Sequence, residues 1–82
     1  VTIDECKVLY EYFDDLPEEA QRIIANMMFN LGRPRLSKFV KMYEAVMDAN
    51  WIEAAIQMED SLWAKQVPKR AERLCERMRN VA

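Results

Sequence analysis

Hydrophobic residues recur along the chain at spacings of three and four, which predicts helices separated by short turns. No stretch alternates hydrophobic and polar residues as a half-buried β-strand does. The most hydrophobic segment lies at about 17–31, where apolar residues cover more than one face of a helix. We therefore predict an all-α fold, a compact bundle of about five to six short helices around a central buried helix at 17–31, in a single helical domain over residues 1–82.

The predicted central helix carries both start and stop signals. A D-x-x-E sequence begins at Asp15, Pro17 falls in the expected first turn, and Gly32 stands where a left-handed residue often ends a helix. Asn26 and Asn30 interrupt the apolar run and share one face, because they are four residues apart. Each amide needs either a hydrogen-bond partner or an opening to solvent, and on composition alone two amides satisfied inside a helical core are favoured over a ligand-facing site.

Further helices are predicted on both sides of this segment. The residues 33–35 are expected to form a turn, since Pro34 disfavours helix at the residue before it. Asn50 opens an N-x-x-E capping signature, and Pro68 suits the first turn of the final helix. The predicted segments are about 3–14, 36–49, 50–58, the short turn 61–65, and a last helix from 68 onward. The expected inward residues are Leu36, Phe39, Val40, Tyr43, Val46 and Met47 in the third helix, and Ala71, Leu74, Cys75 and Met78 in the last.

Composition and charge narrow the classes of partner. The chain is 51% hydrophobic and 32% charged, and no apolar run approaches the roughly 20 residues of a membrane span. The net charge is −2, with −5 over residues 1–24 and +4 over residues 63–82. The basic residues Arg70, Arg73 and Arg77 form a stripe that either meets an anionic partner or is a solvated helix face. Nucleic-acid binding is not predicted, because the whole chain is acidic and the stripe covers one helix only.

Several kinds of chemistry are excluded by residue type. The chain contains no His, which rules out His-dependent catalytic triads, and it has no GxGxxG, Walker or HExxH pattern. Cys6 and Cys75 without His cannot supply the usual four ligands of a zinc site, so we expect no metal and no cofactor. A disulfide between the terminal helices is possible in an oxidising compartment, but two free core thiols are the favoured prediction.

Trp63 and Arg70 look more specific than core residues. Trp63 lies in a short, irregular segment, and Arg70 follows in the first turn of the next helix. Because cations are unfavourable at a helix N-terminus, we expect Arg70 to meet a carboxylate from outside this chain.

Three spaced motifs together resemble the C-terminal helical lobe of phage-type lysozymes, such as those of the T-even bacteriophages. They are Asn26-Met-x-Phe-x-x-Gly32, Trp51-x-x-Ala-Ala55 and Ser61-x-Trp-x-x-Gln-x-Pro-x-Arg-Ala71, and the resemblance covers about residues 16–79. It implies a muramidase, a bacteriolytic glycosidase that hydrolyses the β-1,4 links between N-acetylmuramic acid and N-acetylglucosamine in peptidoglycan. It also implies a phage product made in the bacterial cytoplasm and acting on the cell wall.

In that family the helical lobe forms one wall of the substrate cleft. The resemblance matches Arg70 to the arginine that pairs with the catalytic glutamate, and Trp63 to the tryptophan beside that pair. The residues that it places in or next to the cleft are Phe29, Asn30, Met42 and Gln57.

The chain departs from the family in lacking the catalytic lobe, where the Glu, Asp and Thr lie around a Gly-rich β-hairpin. Glu5 and Asp14 have the family's nine-residue spacing by coincidence, since Ala20 stands where the Thr is expected. Glycoside hydrolysis needs a carboxylic acid and a carboxylate on either side of the bond, so we predict that the isolated chain is inactive and has no catalytic residue of its own. Its predicted partners are a peptidoglycan glycan strand or a missing N-terminal catalytic lobe.

An alternative function is a non-catalytic helical protein interaction module. A Met-rich surface around Met27, Met28, Met42 and Met47 could receive a partner helix, and the basic last helix could receive an acidic partner. This interpretation allows self-association.

Overall fold

The computed structural model describes residues 2–81, apart from the side chain of Thr2. Within this range the structure has seven α-helices, one 3₁₀-helix and no β-strand, which confirms the all-α prediction. The helices are α1 (Thr2–Leu9), the 3₁₀-helix (Phe13–Asp15), α2 (Glu18–Leu31), α3 (Arg33–Leu36), α4 (Val40–Met47), α5 (Trp51–Glu59), α6 (Leu62–Gln66) and α7 (Pro68–Arg79).

The chain divides into two compact units, residues 1–38 and residues 39–82. The first contains α1, the 3₁₀-helix, α2 and α3, and the second contains α4 to α7. The assignment of residues 1–82 to one domain stays a prediction.

The first unit begins with a helix shorter than the predicted one. α1 ends at Leu9 rather than near residue 14, and the N–H of Tyr10 closes it on the carbonyl of Cys6 at 2.7 Å. The N–H of Phe13 then donates to the carbonyl of Tyr10 at 3.0 Å, the i to i+3 bond of a 3₁₀ turn. This tighter winding keeps Tyr10 and Phe13 on one side of the chain, and both are buried.

α2 corresponds to the predicted central helix, but its start differs in detail. Its N-cap is Pro17, whose carbonyl accepts the N–H of Gln21 at 3.0 Å, whereas Asp15 lies in the 3₁₀-helix and does not cap α2. The side chain of Gln21 ties the first turn of α2 to the residue after the 3₁₀-helix, because its Nε2 group donates to the carbonyl of Leu16 at 2.8 Å. Gly32 ends the helix at positive φ, as predicted, but its φ of +79° and ψ of 162° lie outside the left-handed helical region; its N–H donates to the carbonyl of Met28.

Residues 33–36 form the short helix α3 where a turn was predicted. Pro34 falls at the start of this helix, where a backbone N–H has no partner within the helix in any case. The N–H groups of Leu36 and Ser37 complete the turn by donating to the carbonyls of Gly32 and Arg33. The prediction of a turn was wrong because Pro34 lies in the first turn of a helix, where its missing N–H removes no hydrogen bond.

In the second unit, α5 packs against α4 and α7, and α6 packs against α5 and α7. The predicted inward face of α7 is confirmed, since all four of its residues are buried. The predicted inward face of the third helix is confirmed at Leu36 and Val46, which are buried, but it was wrong at Val40. Leu36 belongs to α3, α4 begins only at Val40, and Val40 is 57% exposed while Met42 and Ala45 are buried.

The turn from α4 to α5 is a Schellman motif with an unusual residue. The N–H of Asn50 donates to the carbonyl of Ala45 at 2.8 Å, and the N–H of Ala49 donates to that of Val46 at 3.1 Å. Ala49 occupies the left-handed position, at a φ of +56°, where glycine is usual. The side chain of Asn50 then accepts the N–H of Glu53, which confirms the predicted cap of α5.

Candidate functional site

The exposed face of α2 carries the two predicted site residues of the first unit. Phe29 is 81% exposed, although it sits in the middle of an apolar run. Asn26 and Asn30 are exposed beside it, so these amides open to solvent and are not buried in a core. The Nδ2 group of Asn30 donates to the main-chain carbonyl of Asn26 at 2.8 Å and more weakly to its Oδ1 at 3.3 Å.

Gln57 is the predicted site residue of α5, and it is half-buried. Its Nε2 group donates to Oε2 of Glu53, one turn earlier, at 2.6 Å. Glu53 is also half-buried and stands in the first turn of α5. The Gln57 amide is therefore held by its own helix.

Met42 lies on α4 and is fully buried. The same is true of Met27 and Met28, and Met47 is half-buried. These methionines do not form the exposed surface that the interaction-module alternative assumed. That alternative is left with the basic face of α7, where Arg70 and Arg73 are exposed.

Trp63 and Arg70 lie on α6 and α7, which pack against each other. Ser61 positions Trp63, because its Oγ accepts the N–H of Ala64 at 3.2 Å and caps α6. Trp63 is 4% exposed, and its indole Nε1–H makes no hydrogen bond with the residues that the structure describes. Arg70 is exposed in the first turn of α7 and already takes part in a non-covalent contact, so a carboxylate partner from outside the chain stays a prediction.

The two cysteines are free and buried, as predicted. Burial raises the pKa of Cys6 to about 11, with a smaller contribution from Glu5. Burial also raises the pKa of Cys75 to about 11, Glu59 adds to the shift, and Arg79 opposes it. Thiols with raised pKa values are poor nucleophiles near neutral pH, which makes them structural residues.

Metal binding and membrane insertion are two further properties on which the described residues bear. No group of three or more His, Cys, Asp or Glu side chains between residues 2 and 81 is arranged to hold a metal ion. None of the helices in this range is both long enough and apolar enough to cross a membrane.

Sequence reasoning missed the side-chain contact between Glu53 and Gln57 and assigned Glu53 only to the capping signature. The available signal was its four-residue spacing from Gln57, which places the two side chains on one helix face. It also missed the pairing of Glu59 with Arg79, which joins α5 to α7 across 20 residues and has no local signature.

The helical architecture and the motifs that it carries are those of a T4 lysozyme-like helical region. Two curated proteins of Dictyostelium discoideum show this similarity. The "Probable T4-type lysozyme 2" is 33% identical over 73 residues, which is 89% of this chain and 43% of that protein. The "Probable T4-type lysozyme 1" is 30% identical over 66 residues, which is 80% of this chain and 37% of that protein.

The chain thus spans less than half the length of these curated relatives. No family model matches the chain, and no solved structure matches it. The resemblance to phage-type lysozymes predicted from the motifs is confirmed as similarity to part of a T4-type lysozyme. The roles of Phe29, Asn30, Met42, Gln57, Trp63 and Arg70 stay predictions.

Proposed function

We propose that the chain is a lysozyme-like lobe that binds the glycan strand of peptidoglycan and forms one wall of a muramidase cleft. The catalytic acids of such an enzyme belong to a second lobe. The 82 residues alone then bind the glycan without cleaving it.

The exposure of Phe29 is the observation that carries this proposal. A phenylalanine that is 81% exposed leaves most of its ring in water, in a protein that buries its other two phenylalanines more deeply. Amide side chains flank the ring on the same helix face, at Asn26 and Asn30. Apolar rings combined with a few placed amides suit a ligand with apolar ring faces and polar edges, as a pyranose has.

The similarity to T4-type lysozymes supports the choice of peptidoglycan as the ligand. The match with the first relative covers 89% of this chain, so at most nine of its 82 residues lie outside, and α2 and the three motifs, which end at Ala71, fall within the match. A polysaccharide of N-acetylated amino sugars is the substrate that this relationship implies.

The chain's own acids do not supply the missing catalysis. Asp14, which has the family's spacing from Glu5, forms an exposed ion pair with Lys7 at 3.6 Å. Ala20, at the position expected for Thr, is fully buried and has no hydroxyl group. Glycoside hydrolysis needs an acid and a carboxylate on opposite sides of the bond, and an exposed carboxylate paired with lysine does not provide this pair.

Binding can be tested by titrating the isotope-labelled chain with N-acetylchitotetraose and following amide shifts by NMR. We expect saturable shifts on α2, and about five- to tenfold weaker binding in Phe29→Ala, from the loss of about 1 to 1.5 kcal/mol of aromatic contact. Tyr12→Ala is the matched control, because Tyr12 is a 62% exposed aromatic residue in the same unit. Its affinity should equal that of the unaltered chain.

The absence of saturable shifts in the unaltered chain would refute the proposal, and so would equal losses in the two variants. A turbidity assay on cell walls tests the catalytic part. Clearing of the suspension by the chain alone would show that it contains a complete active site, against the proposal.

A further inference from the structure

We infer that Glu53 is a positioning residue, which fixes the side-chain amide of Gln57 so that its carbonyl oxygen accepts a hydrogen bond from the glycan. This inference rests on the proposed function, since it assigns Gln57 to the glycan-binding surface. It adds that Gln57 accepts, and does not donate, the hydrogen bond with the glycan, and that Glu53 determines this.

The hydrogen bond between the two side chains determines the orientation of the amide. Nε2 of Gln57 lies 2.6 Å from Oε2 of Glu53. A carboxylate can only accept hydrogen bonds, so the NH₂ group must face it and the carbonyl group must face the other way. Oε1 of Gln57 accepts no hydrogen bond from the part of the chain that the structure describes.

Glu53 is well placed to hold this orientation. Its main-chain N–H is fixed by Oδ1 of Asn50 at 3.3 Å, in the first turn of α5. The positive end of the helix dipole favours a carboxylate there, and a charged acceptor makes a stronger hydrogen bond than a neutral one. α5 is itself packed between α4 and α7, so the pair stands on a rigid element.

A fixed amide discriminates between ligand groups, whereas a freely rotating amide adapts to either a donor or an acceptor. With its NH₂ group turned to Glu53, Gln57 presents an acceptor and favours the amide N–H of an N-acetyl group or a hydroxyl hydrogen. If the ligand instead places an acceptor oxygen at this position, neither that oxygen nor Oε1 of Gln57 receives a hydrogen bond, which is unfavourable in a half-buried site.

Substitutions at Glu53 test the inference, with N-acetylchitotetraose as the probe and NMR titration as the measurement. Glu53→Ala frees the amide, and we expect binding about fivefold weaker, which corresponds to about 1 kcal/mol, the value of one hydrogen bond. Glu53→Gln can either accept from Nε2 of Gln57 or donate to its Oε1, so it no longer fixes the direction of the amide, and we expect an affinity between those of Glu53→Ala and the unaltered chain. The cap by Asn50 persists in both variants, because it uses the main-chain N–H of residue 53.

Glu53→Lys is the most discriminating variant. The lysine ammonium donates only, so it turns Oε1 of Gln57 toward itself and removes the acceptor from the ligand. We expect binding at least as weak as in Glu53→Ala. Glu44→Ala is the matched control, since Glu44 is an exposed glutamate on α4, and its affinity should not change.

The side-chain NH₂ signals of Gln57 provide a readout that a merely structural role would not move. We expect the NH₂ protons of Gln57 to exchange slowly with water and to lie away from the shifts of a solvated glutamine in the unaltered chain, and to exchange fast at ordinary shifts in Glu53→Ala. Unchanged affinity in Glu53→Ala together with weakened binding in Gln57→Ala would overturn the positioning role. If the unaltered chain binds no saccharide, the proposed function fails and this inference fails with it, even where the NH₂ protons are protected from exchange.

Discussion

Arg79, the last residue of α7, donates a hydrogen bond from its guanidinium to the carboxylate of Glu59, the last residue of α5. Both side chains are about half exposed, so water screens the charges. We expect Arg79→Ala to lower the free energy of unfolding by less than about 1 kcal/mol, and by less still at high salt. Urea denaturation at low and high salt measures the effect. Arg73 is an exposed arginine on the same helix and serves as the control. At low salt, Arg73→Ala should lower the free energy of unfolding less than Arg79→Ala does.

Ala49→Gly should stabilise the protein. Ala49 occupies the left-handed position of the Schellman motif at a φ of +56°, where a Cβ atom costs about 1 kcal/mol. Glycine removes that cost, and part of the gain is lost to the greater entropy of the unfolded chain, which leaves about 0.5 kcal/mol. Thermal unfolding measures the change. Ala25→Gly, in the interior of α2, should have the opposite sign, and two destabilised variants would contradict the strain at residue 49.

Gly32→Ala should destabilise the end of α2 through backbone strain alone. The φ and ψ of Gly32 are +79° and 162°, a combination that residues with a Cβ atom rarely adopt. The nearest atom to an added Cβ is Cδ of Pro34 at 3.8 Å, an ordinary contact, so crowding adds little. We expect a loss of about 1 to 3 kcal/mol in urea denaturation. An unchanged midpoint would show that the chain can turn here at negative φ.

The buried cysteines should make stability fall as the pH rises above 9. Their pKa is about 11 in the folded protein against an ordinary value of 9.0, so below pH 9 both states keep the protons and the thiols contribute no pH dependence. Above pH 9 the unfolded chain loses protons first, and at pH 10 the folded state is disfavoured by about 1.4 kcal/mol for each thiol.

The measurement is urea denaturation at pH 8 and pH 10, with Cys6→Ala/Cys75→Ala as the control for other titrating groups. The difference in unfolding free energy between the two pH values should be smaller in the double variant. Equal differences would mean that the thiols titrate normally in the folded chain.

Signals that act within a few residues allowed the sequence to predict parts of the fold. Asn50 caps α5 through its own side chain, Pro68 starts α7, and Gly32 ends α2 at positive φ. The inward face of α7 followed from its strong separation of apolar and charged residues. In each case the preference belongs to the residue and its immediate neighbours.

The start of α4 at Val40 and the exposure of that residue were not predictable in this way. By spacing, Leu36, Phe39 and Val40 fit one apolar stripe of a single helix. In the structure α3 ends at Leu36 and α4 begins at Val40, so these residues do not share one helix face. The candidate site shows a similar limit at Glu53, whose side chain pairs with Gln57 although the capping signature assigns it to Asn50. Two partners were compatible with the spacing, and only the side-chain geometry distinguishes them.

Asn50 belongs to two structures at once, the end of α4 and the beginning of α5. The hydrogen bonds of the bend between these helices consequently lie within nine consecutive residues, from Ala45 to Glu53. Contacts between near neighbours in sequence form fast, because little chain entropy is lost in closing them. We therefore expect the α4–α5 hairpin to be among the first parts of the second unit to become ordered when the chain folds.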